Sequence, residues 1–312
     1  MVLDAKAEWA IDVKELCKSF NGRKAVDGVS LRIKTGQIFG FLGANGSGKT
    51  TTIRMICGLL TPDSGNGTCL GYDIVKEANQ IKQNSGYMTQ SFSLYGDMSV
   101  YENLNFVARI YGMENREKAV QDSLDKLGID NRTKNQLAGT LSGGWKQRLA
   151  LAAAIIHNPK MLLLDEPTGG VDPKARRDFW DRIHELSTEG ITTLVSTHYM
   201  DEAERCDTLG YLSFGKWLAM GSTDAVIEET HLVSFNGRGP DLHRVAEELK
   251  DTEGVEQAAI FGRVLHVTGG DRALLERAIE RYKIGYTWDE TSPNLEDAFI
   301  HYMLRSRERI TE

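Results

Sequence analysis

The sequence predicts an α/β protein in two parts. A large domain, residues 1–228, is built on a mostly parallel sheet, with an antiparallel β subdomain and a helical subdomain inserted at about 90–158; a small α+β domain follows at 229–312. Three observations predict this. The runs IFGFL (38–42), MLLLD (161–165) and ITTLVSTH (191–198) lack the polar alternation of a half-solvated strand, as strands buried on both faces should. Helical patterns separate the later runs, which makes the sheet mostly parallel. From about Thr230 the composition resets to shorter elements.

From Ile11 to Gly40, IDVKELCKSF, NGRK and VDGVSLRIKTGQIFGFLG read as paired strands joined by tight turns. IFGFL feeds directly into GANGSGKT (43–50), and TTIRMICGLL keeps helical spacing until the breaker cluster TPDSG. From about Met88 to Pro159 the chain is helical, in VYENLNFVARIYGM, REKAVQDSLDKLGI and SGGWKQRLALAAAIIHN. The helix PKARRDFWDRIHELSTEG separates MLLLD from ITTLVSTH. The tail reads as strand HLVSFNG, helix LHRVAEELKDTEG, strands VEQAAIFG and RVLHVTGG, helix ALLERAIERY, strand IGYTWDE and helix NLEDAFIHYMLRS. That βαββαβ order is ferredoxin-like.

Composition narrows the functional classes. The 312 residues are 26% charged and 41% hydrophobic, ordinary globular material. A net charge of -7 argues against a basic face for a nucleic-acid backbone, so no nucleic-acid partner is expected. Cys17, Cys57, Cys69 and Cys206 have no CxxC spacing or neighbouring His cluster, which favours buried thiols in a reducing cytoplasm over a metal site. The longest apolar run, LALAAAII (149–156), is far short of the roughly 20 residues that span a bilayer. The leading MVLDAKAEWAIDVKEL carries acids and no apolar core, so it does not read as a signal peptide.

The chemistry concentrates in three stretches. GANGSGKT fits G-x-x-x-x-G-K-[ST]: Gly43, Gly46 and Gly48 let backbone N–H groups turn around phosphate oxygens, Lys49 reaches the β- and γ-phosphates, and the Thr50 hydroxyl can coordinate Mg²⁺. In MLLLDEPT an apolar strand delivers Asp165 to the sheet's carboxyl edge as a metal-water ligand, and Glu166 follows where it can orient or deprotonate an attacking water. In LSGGWKQRLALAAAIIHNP, Ser142 sits where an N-cap belongs and Gly143 and Gly144 leave the first-turn N–H groups open, so the helix's positive end points at an anion. One nucleotide does not easily occupy two helix N-termini placed a subdomain apart, whereas two facing copies of the chain can share it.

With those motifs in order, residues 11 to about 228 resemble the ATP-binding subunit of an ATP-binding-cassette transporter. The resemblance implies a P-loop NTPase core of RecA-like type, ATP and Mg²⁺ as ligands, and two cassettes packed head to tail with each nucleotide between the P-loop of one and the signature helix of the other. It also implies nucleotide contacts from Asn45, Ser47 and Thr51 in and after the loop, and matches Phe20 to the aromatic that stacks on adenine, where Tyr is commoner. Gln90 matches the glutamine that reaches Mg²⁺ and the attacking water, Asp172 the residue that contacts the opposite cassette, and His198 the histidine that holds the γ-phosphate. Trp145 stands where the signature usually carries Gln, and Gly169 and Gly170 where other branches often carry Ser and Ala.

QSFSLYGDMSVYENLNFVARIYGM and TSPNLEDAFIHYM resemble the bacterial export branch that moves drugs, antibiotics or polysaccharide carriers through separately encoded membrane subunits, with the cassette peripheral on the cytoplasmic face. Tyr95, Tyr101, Phe106 and Tyr111 read first as helix core, with a groove for a membrane partner's helix as the alternative. A cassette ATPase acting on ribosomes or DNA would normally carry two cassettes or a long coiled coil, and an importer's ATPase often ends in a small β-barrel. Similar export cassettes also occur as tandem pairs in one longer chain, which the leading MVLDAKAEW leaves open.

Overall fold

The computed structural model describes residues 8–126 and 128–311; the stretch 1–7, at the start of the segment read above for a leader, lies outside them. The chain divides into two compact units, Met1–Trp217 and Leu218–Glu312.

In the first unit, β1 (Trp9–Phe20) and β2 (Arg23–Lys34) form a long antiparallel hairpin, and β3 (Ile38–Leu42) runs into the glycine loop and helix α1 (Lys49–Ile56). Then come β4 (Ser64–Cys69), β5 (Tyr72–Asp73), α2 (Ala78–Gln83) and β6 (Ser85–Met88). The helical insertion holds α3 (Val100–Ile110), α4 (Arg116–Lys126), α5 (Asn131–Lys134) and α6 (Gly143–Ile155). β7 (Met161–Asp165), α7 (Pro173–Thr188), β8 (Thr192–Thr197), α8 (Met200–Ala203) and β9 (Thr208–Ser213) follow, and the division after Trp217 falls within β10 (Lys216–Gly221). The antiparallel sheet has the order β2-β1-β4-β5, and the main sheet the order β10-β9-β3-β8-β7-β6, parallel from β9 to β6.

β3, β7 and β8 are buried on both faces. Phe39, Phe41, Leu163 and Leu194 point to a core shared with Ile53, Met55 and Ile56 of α1 and with Ile11, Val13 and Leu31 of the antiparallel sheet. The alternate residues Ile38, Leu162, Leu164 and Val195 meet Phe179, Trp180 and Ile183 of α7. Each such buried side chain contributes about 1.5–3 kcal/mol, so the sheet's rigidity is set from both sides. The helical insertion has its own core of Val100, Leu104, Leu124, Leu149 and Ala152, and α3 begins in a capping box between Ser99 and Glu102.

The aromatic series of this insertion departs from the helix-core expectation. Tyr101 packs on the core, but Tyr95, Phe106 and Tyr111 are 51%, 36% and 38% exposed. Tyr95 and Phe106 meet edge to face with ring centroids 5.2 Å apart, and Tyr111 stacks on His157 at 3.6 Å. Tyr95 precedes α3, Tyr111 is its C-cap, and Phe106 lies off the stripe of Val100, Leu104 and Ala108 that the helix buries.

In the second unit, α9 (Thr223–Glu228), β11 (Val233–Arg238), α10 (Leu242–Lys250), β12 (Gln257–Phe261), β13 (Val264–Gly269), α11 (Arg272–Glu280), β14 (Thr287–Thr291) and α12 (Leu295–Thr311) succeed one another. The division falls one short helix ahead of the compositional reset because α9 packs on α12. The sheet is antiparallel in the order β12-β13-β11-β14, the ferredoxin-like arrangement. One face, with Phe235, Leu265 and Val267, packs on Val245 and Leu249 of α10 and Leu275 and Ile279 of α11. The other is polar: buried His266 lies 2.9 Å from Asn236 through Nδ1 and 2.9 Å from Asp297 of α12 through Nε2, and the Ser234 and Thr268 hydroxyls meet at 2.9 Å. Asn294 and Asp297 cap the start of α12 reciprocally.

Candidate functional site

Three neighbouring parallel strands end together. Leu42 of β3 is in register with Thr197 of β8, and Ser196 of β8 with Asp165 of β7, so the glycine loop, His198 and Glu166 all emerge at the sheet's carboxyl edge. Ligands of open α/β sheets bind at that edge.

The loop from Gly43 to Gly48 is shaped by backbone that only glycine tolerates. Gly43 and Gly48 have φ of 151° and 107°. A Cβ on Gly43 would lie 2.3 Å from the Leu212 carbonyl oxygen, and one on Gly48 2.4 Å from that of Ala25. Gly46 faces open space, Asn45 is exposed, and Thr51 is half-buried one residue after Thr50. Lys49 is buried, with Nζ donating to the carbonyls of Gly43 at 2.6 Å and Ala44 at 3.2 Å. Burial draws its pKa down from 10.5, against the pull of the Glu166 and Asp165 carboxylates. The Ser47 hydroxyl is buried without a hydrogen-bond partner among the described residues.

Opposite the loop, Thr50 Oγ1 donates to both carboxylate oxygens of Asp165 at 3.2 Å. The Ser196 hydroxyl donates to Asp165 Oδ1, and the Glu166 backbone N–H reaches the Ser196 carbonyl at 3.0 Å and hydroxyl at 3.1 Å. Glu166 is held at φ 47°, a left-handed conformation that costs a non-glycine residue about 1–2 kcal/mol. Its Oε2 accepts from Gln90 Nε2 at 2.8 Å and lies 3.3 Å from His198 Nδ1.

These groups fit the ligands expected of them. A partnerless buried hydroxyl at Ser47, open space over Gly46 and a lysine lying back on its own loop suit an anion. The all-oxygen pair of Thr50 and Asp165, with the Gln90 side chain nearby at Glu166, suits a hard divalent cation such as Mg²⁺.

The structure thus brings together Lys49, Thr50, Asp165, Glu166, Gln90 and His198. Phe20, at the end of β1, is 48% exposed with Lys18 Nζ 5.9 Å from its ring, an accessible aromatic rather than a core one. Ser142 is the N-cap of α6, yet its exposed side chain makes no capping bond. Gly143 and Gly144 face Gly170, Ala175 and Asp172, not the glycine loop. Asp172 caps α7, accepting from Lys174 and Ala175 N–H at 3.0 Å, and these bonds lower its pKa from 3.8. Sequence reasoning missed Ser196, which joins Asp165 to Glu166. Nothing local set it apart, since the same strand also carries Thr192, Thr193 and Thr197.

Residues 26–169 match the model of the ABC transporter family. The Nod factor export ATP-binding protein I of Rhizobium etli is 35% identical over 307 residues, which cover 96% of this chain and 95% of that protein. The chain belongs to the ABC transporter family. A probable multidrug ABC transporter ATP-binding protein of Escherichia coli (strain K12) is 44% identical over 236 residues, 75% of this cassette chain, which spans only 40% of that relative's length. Among solved structures, cbiO1 from Clostridium perfringens, described as part of an ABC transporter complex, covers 72% of the chain at TM-score 0.64 and 29% identity, with 95% of its own length matched. An ATP-binding cassette solved as a dimer in a post-hydrolysis state with ADP and Pi covers 68% at TM-score 0.62 and 26% identity, with 98% of its own length matched. Among the described residues of this cassette, no helix is long and apolar enough to cross a membrane.

Proposed function

We propose that the chain is the ATP-hydrolysing subunit of a bacterial exporter, working as one of two cassettes that close head to tail on ATP at the cytoplasmic face of the membrane. The observation that carries this reading is the bonded group at the sheet edge, in which Lys49, Thr50 and Asp165 stand beside a strained Glu166 held by Gln90 and His198.

The loop amides, Ser47 and Lys49 grip the β- and γ-phosphates, and Phe20 offers its ring to adenine. Asn45 and Thr51 extend the loop's contacts. Mg²⁺, held through Thr50, Asp165 and Gln90, supplies charge neutralisation at the phosphate oxygens. Glu166 orients and deprotonates the attacking water, while His198 and Lys49 stabilise charge on the γ-phosphoryl oxygens. Ser142, Gly143 and Gly144 open α6 next to Gly170, Ala175 and Asp172, and they serve the nucleotide of a second cassette, with Asp172 beside them at the junction. Separately encoded membrane subunits take the work. A cavity of about 450 Å³ beside Gln90, lined by Phe92, Leu94, Val107, Ile110 and Tyr111, supports docking of an apolar partner helix there. The export assignment draws support from the relatives, one of them from Bacillus subtilis and named a linearmycin resistance ATP-binding protein.

Light scattering on Glu166→Gln, with and without ATP and Mg²⁺, tests the pairing. Nucleotide should convert monomer to dimer; a chain that stays monomeric at saturating ATP and Mg²⁺ sinks nucleotide-driven self-pairing. Phosphate release by the wild type, lost in Lys49→Ala, tests hydrolysis itself.

A further inference from the structure

Behind the nucleotide site lies a carboxylate that the proposed chemistry does not use. Glu202, on α8, is 1% exposed. Its Oε1 accepts from the Thr168 hydroxyl, and its Oε2 accepts from the Thr197 hydroxyl at 2.6 Å. Thr197 Oγ1 in turn accepts the Tyr199 N–H at 3.0 Å. Arg176 of α7 places Nε 3.7 Å from Glu202 Oε1, lays its guanidinium 4.6 Å over the Tyr199 ring, and bonds Asp201 at 3.2 Å.

A carboxylate removed from water is costly unless its oxygens are hydrogen-bonded. A buried aliphatic residue would fill the same space without that penalty, so the position of these particular donors is informative. Thr168 follows Glu166 by two residues, Thr197 immediately precedes His198, and Arg176 lies in the first turn of the helix that Asp172 caps. The partners lie 34 and 5 residues from Glu202, on different segments. One side chain therefore ties together the backbones whose own side chains meet at the 3.3 Å contact between Glu166 and His198.

We infer that Glu202 is a positioning residue for hydrolysis. Its carboxylate clamps the turn bearing Glu166 against the strand end bearing His198, and through Arg176 it couples both to the helix beginning at Asp172. The inference rests on the ATPase reading above. Glu202 acts through the placement of Glu166 and His198, so its loss should slow turnover and leave nucleotide binding alone.

The test is a set of full-length variants assayed for phosphate release from MgATP, for MgADP affinity by calorimetry, and for thermal midpoint. Glu202→Gln removes one of two acceptors, and Thr168→Val removes one donor at nearly constant volume. Each should lower kcat by about tenfold or more with MgADP affinity within about twofold of wild type. Thr168→Ser, which restores the hydroxyl, should recover most of what Thr168→Val loses. Folded variants with unchanged kcat overturn the inference. So does a fall in kcat matched by weaker MgADP binding or by a large drop in thermal midpoint, because that marks a general structural role. Failure of the underlying reading looks different: wild-type protein would release no phosphate and Lys49→Ala would bind MgADP as the wild type does.

Discussion

Replacing Glu166 by glycine should separate activity from stability at one residue. The wild-type φ of 47° costs about 1–2 kcal/mol in a non-glycine residue, which glycine relieves. Against that, glycine loses about 0.5–1 kcal/mol more backbone entropy on folding. The contacts from Gln90 at 2.8 Å and His198 at 3.3 Å, both exposed partners, are worth together about 1 kcal/mol. These terms nearly cancel, so Glu166→Gly should melt within about 2–4 °C of the wild type. Glu166→Ala keeps the strain and loses the contacts, and should fall about 1 kcal/mol below wild type. Both variants should lose about 10²–10⁴-fold in phosphate release if Glu166 is the general base. Thermal scanning beside a phosphate-release assay decides it. A glycine variant that melts as low as the alanine variant would refute the strain argument, and one that hydrolyses ATP near the wild-type rate would refute the chemical assignment.

Gly48→Ala should weaken MgADP binding by at least about tenfold, since its Cβ would meet the Ala25 carbonyl oxygen at 2.4 Å at a φ of 107°; calorimetry reads this directly. Trp180→Ala should destabilise by about 3–5 kcal/mol in denaturant titrations, and Trp180→Phe by much less, because the fully buried indole N–H has no partner among the described residues to lose. His157, stacked on Tyr111, has its pKa lowered by burial from 6.5 to about 4. The unfolded chain therefore binds the extra proton first: stability present above pH 6.5 should drain away as pH falls toward about 4. The loss should be about 1–2 kcal/mol once solvent screening of the partly exposed ring is allowed for, and absent in His157→Phe.

Much of the candidate site's geometry was legible because its residues act through local backbone. GANGSGKT and MLLLDEPT specify their turns within eight residues, so reading them needs no knowledge of what packs nearby. The tail's strand and helix order was legible for the same reason, since alternation is a short-range signal. What escaped is set by distance along the chain. Ser196 is 31 residues from the Asp165 it bonds, and Glu202 is 34 from Thr168. Tyr95, Phe106 and Tyr111, read first as core with an exposed groove as the alternative, stand exposed because Tyr95 precedes α3, Tyr111 caps its end and Phe106 lies off the buried stripe of Val100, Leu104 and Ala108. That β8 lies between the loop strand and the Asp165 strand follows from sheet order, on which the local pattern is silent.

The seam between the second unit's sheet and α12 differs in kind from the greasy layers elsewhere. Aliphatic side chains slide and substitute for one another with modest loss, whereas His266, Asn236 and Asp297 meet only in one alignment and at one angle. Such a seam works like a key cut for one lock. It admits a single setting of α12, rejects a shift of even one residue, and accepts change only when both halves are recut together.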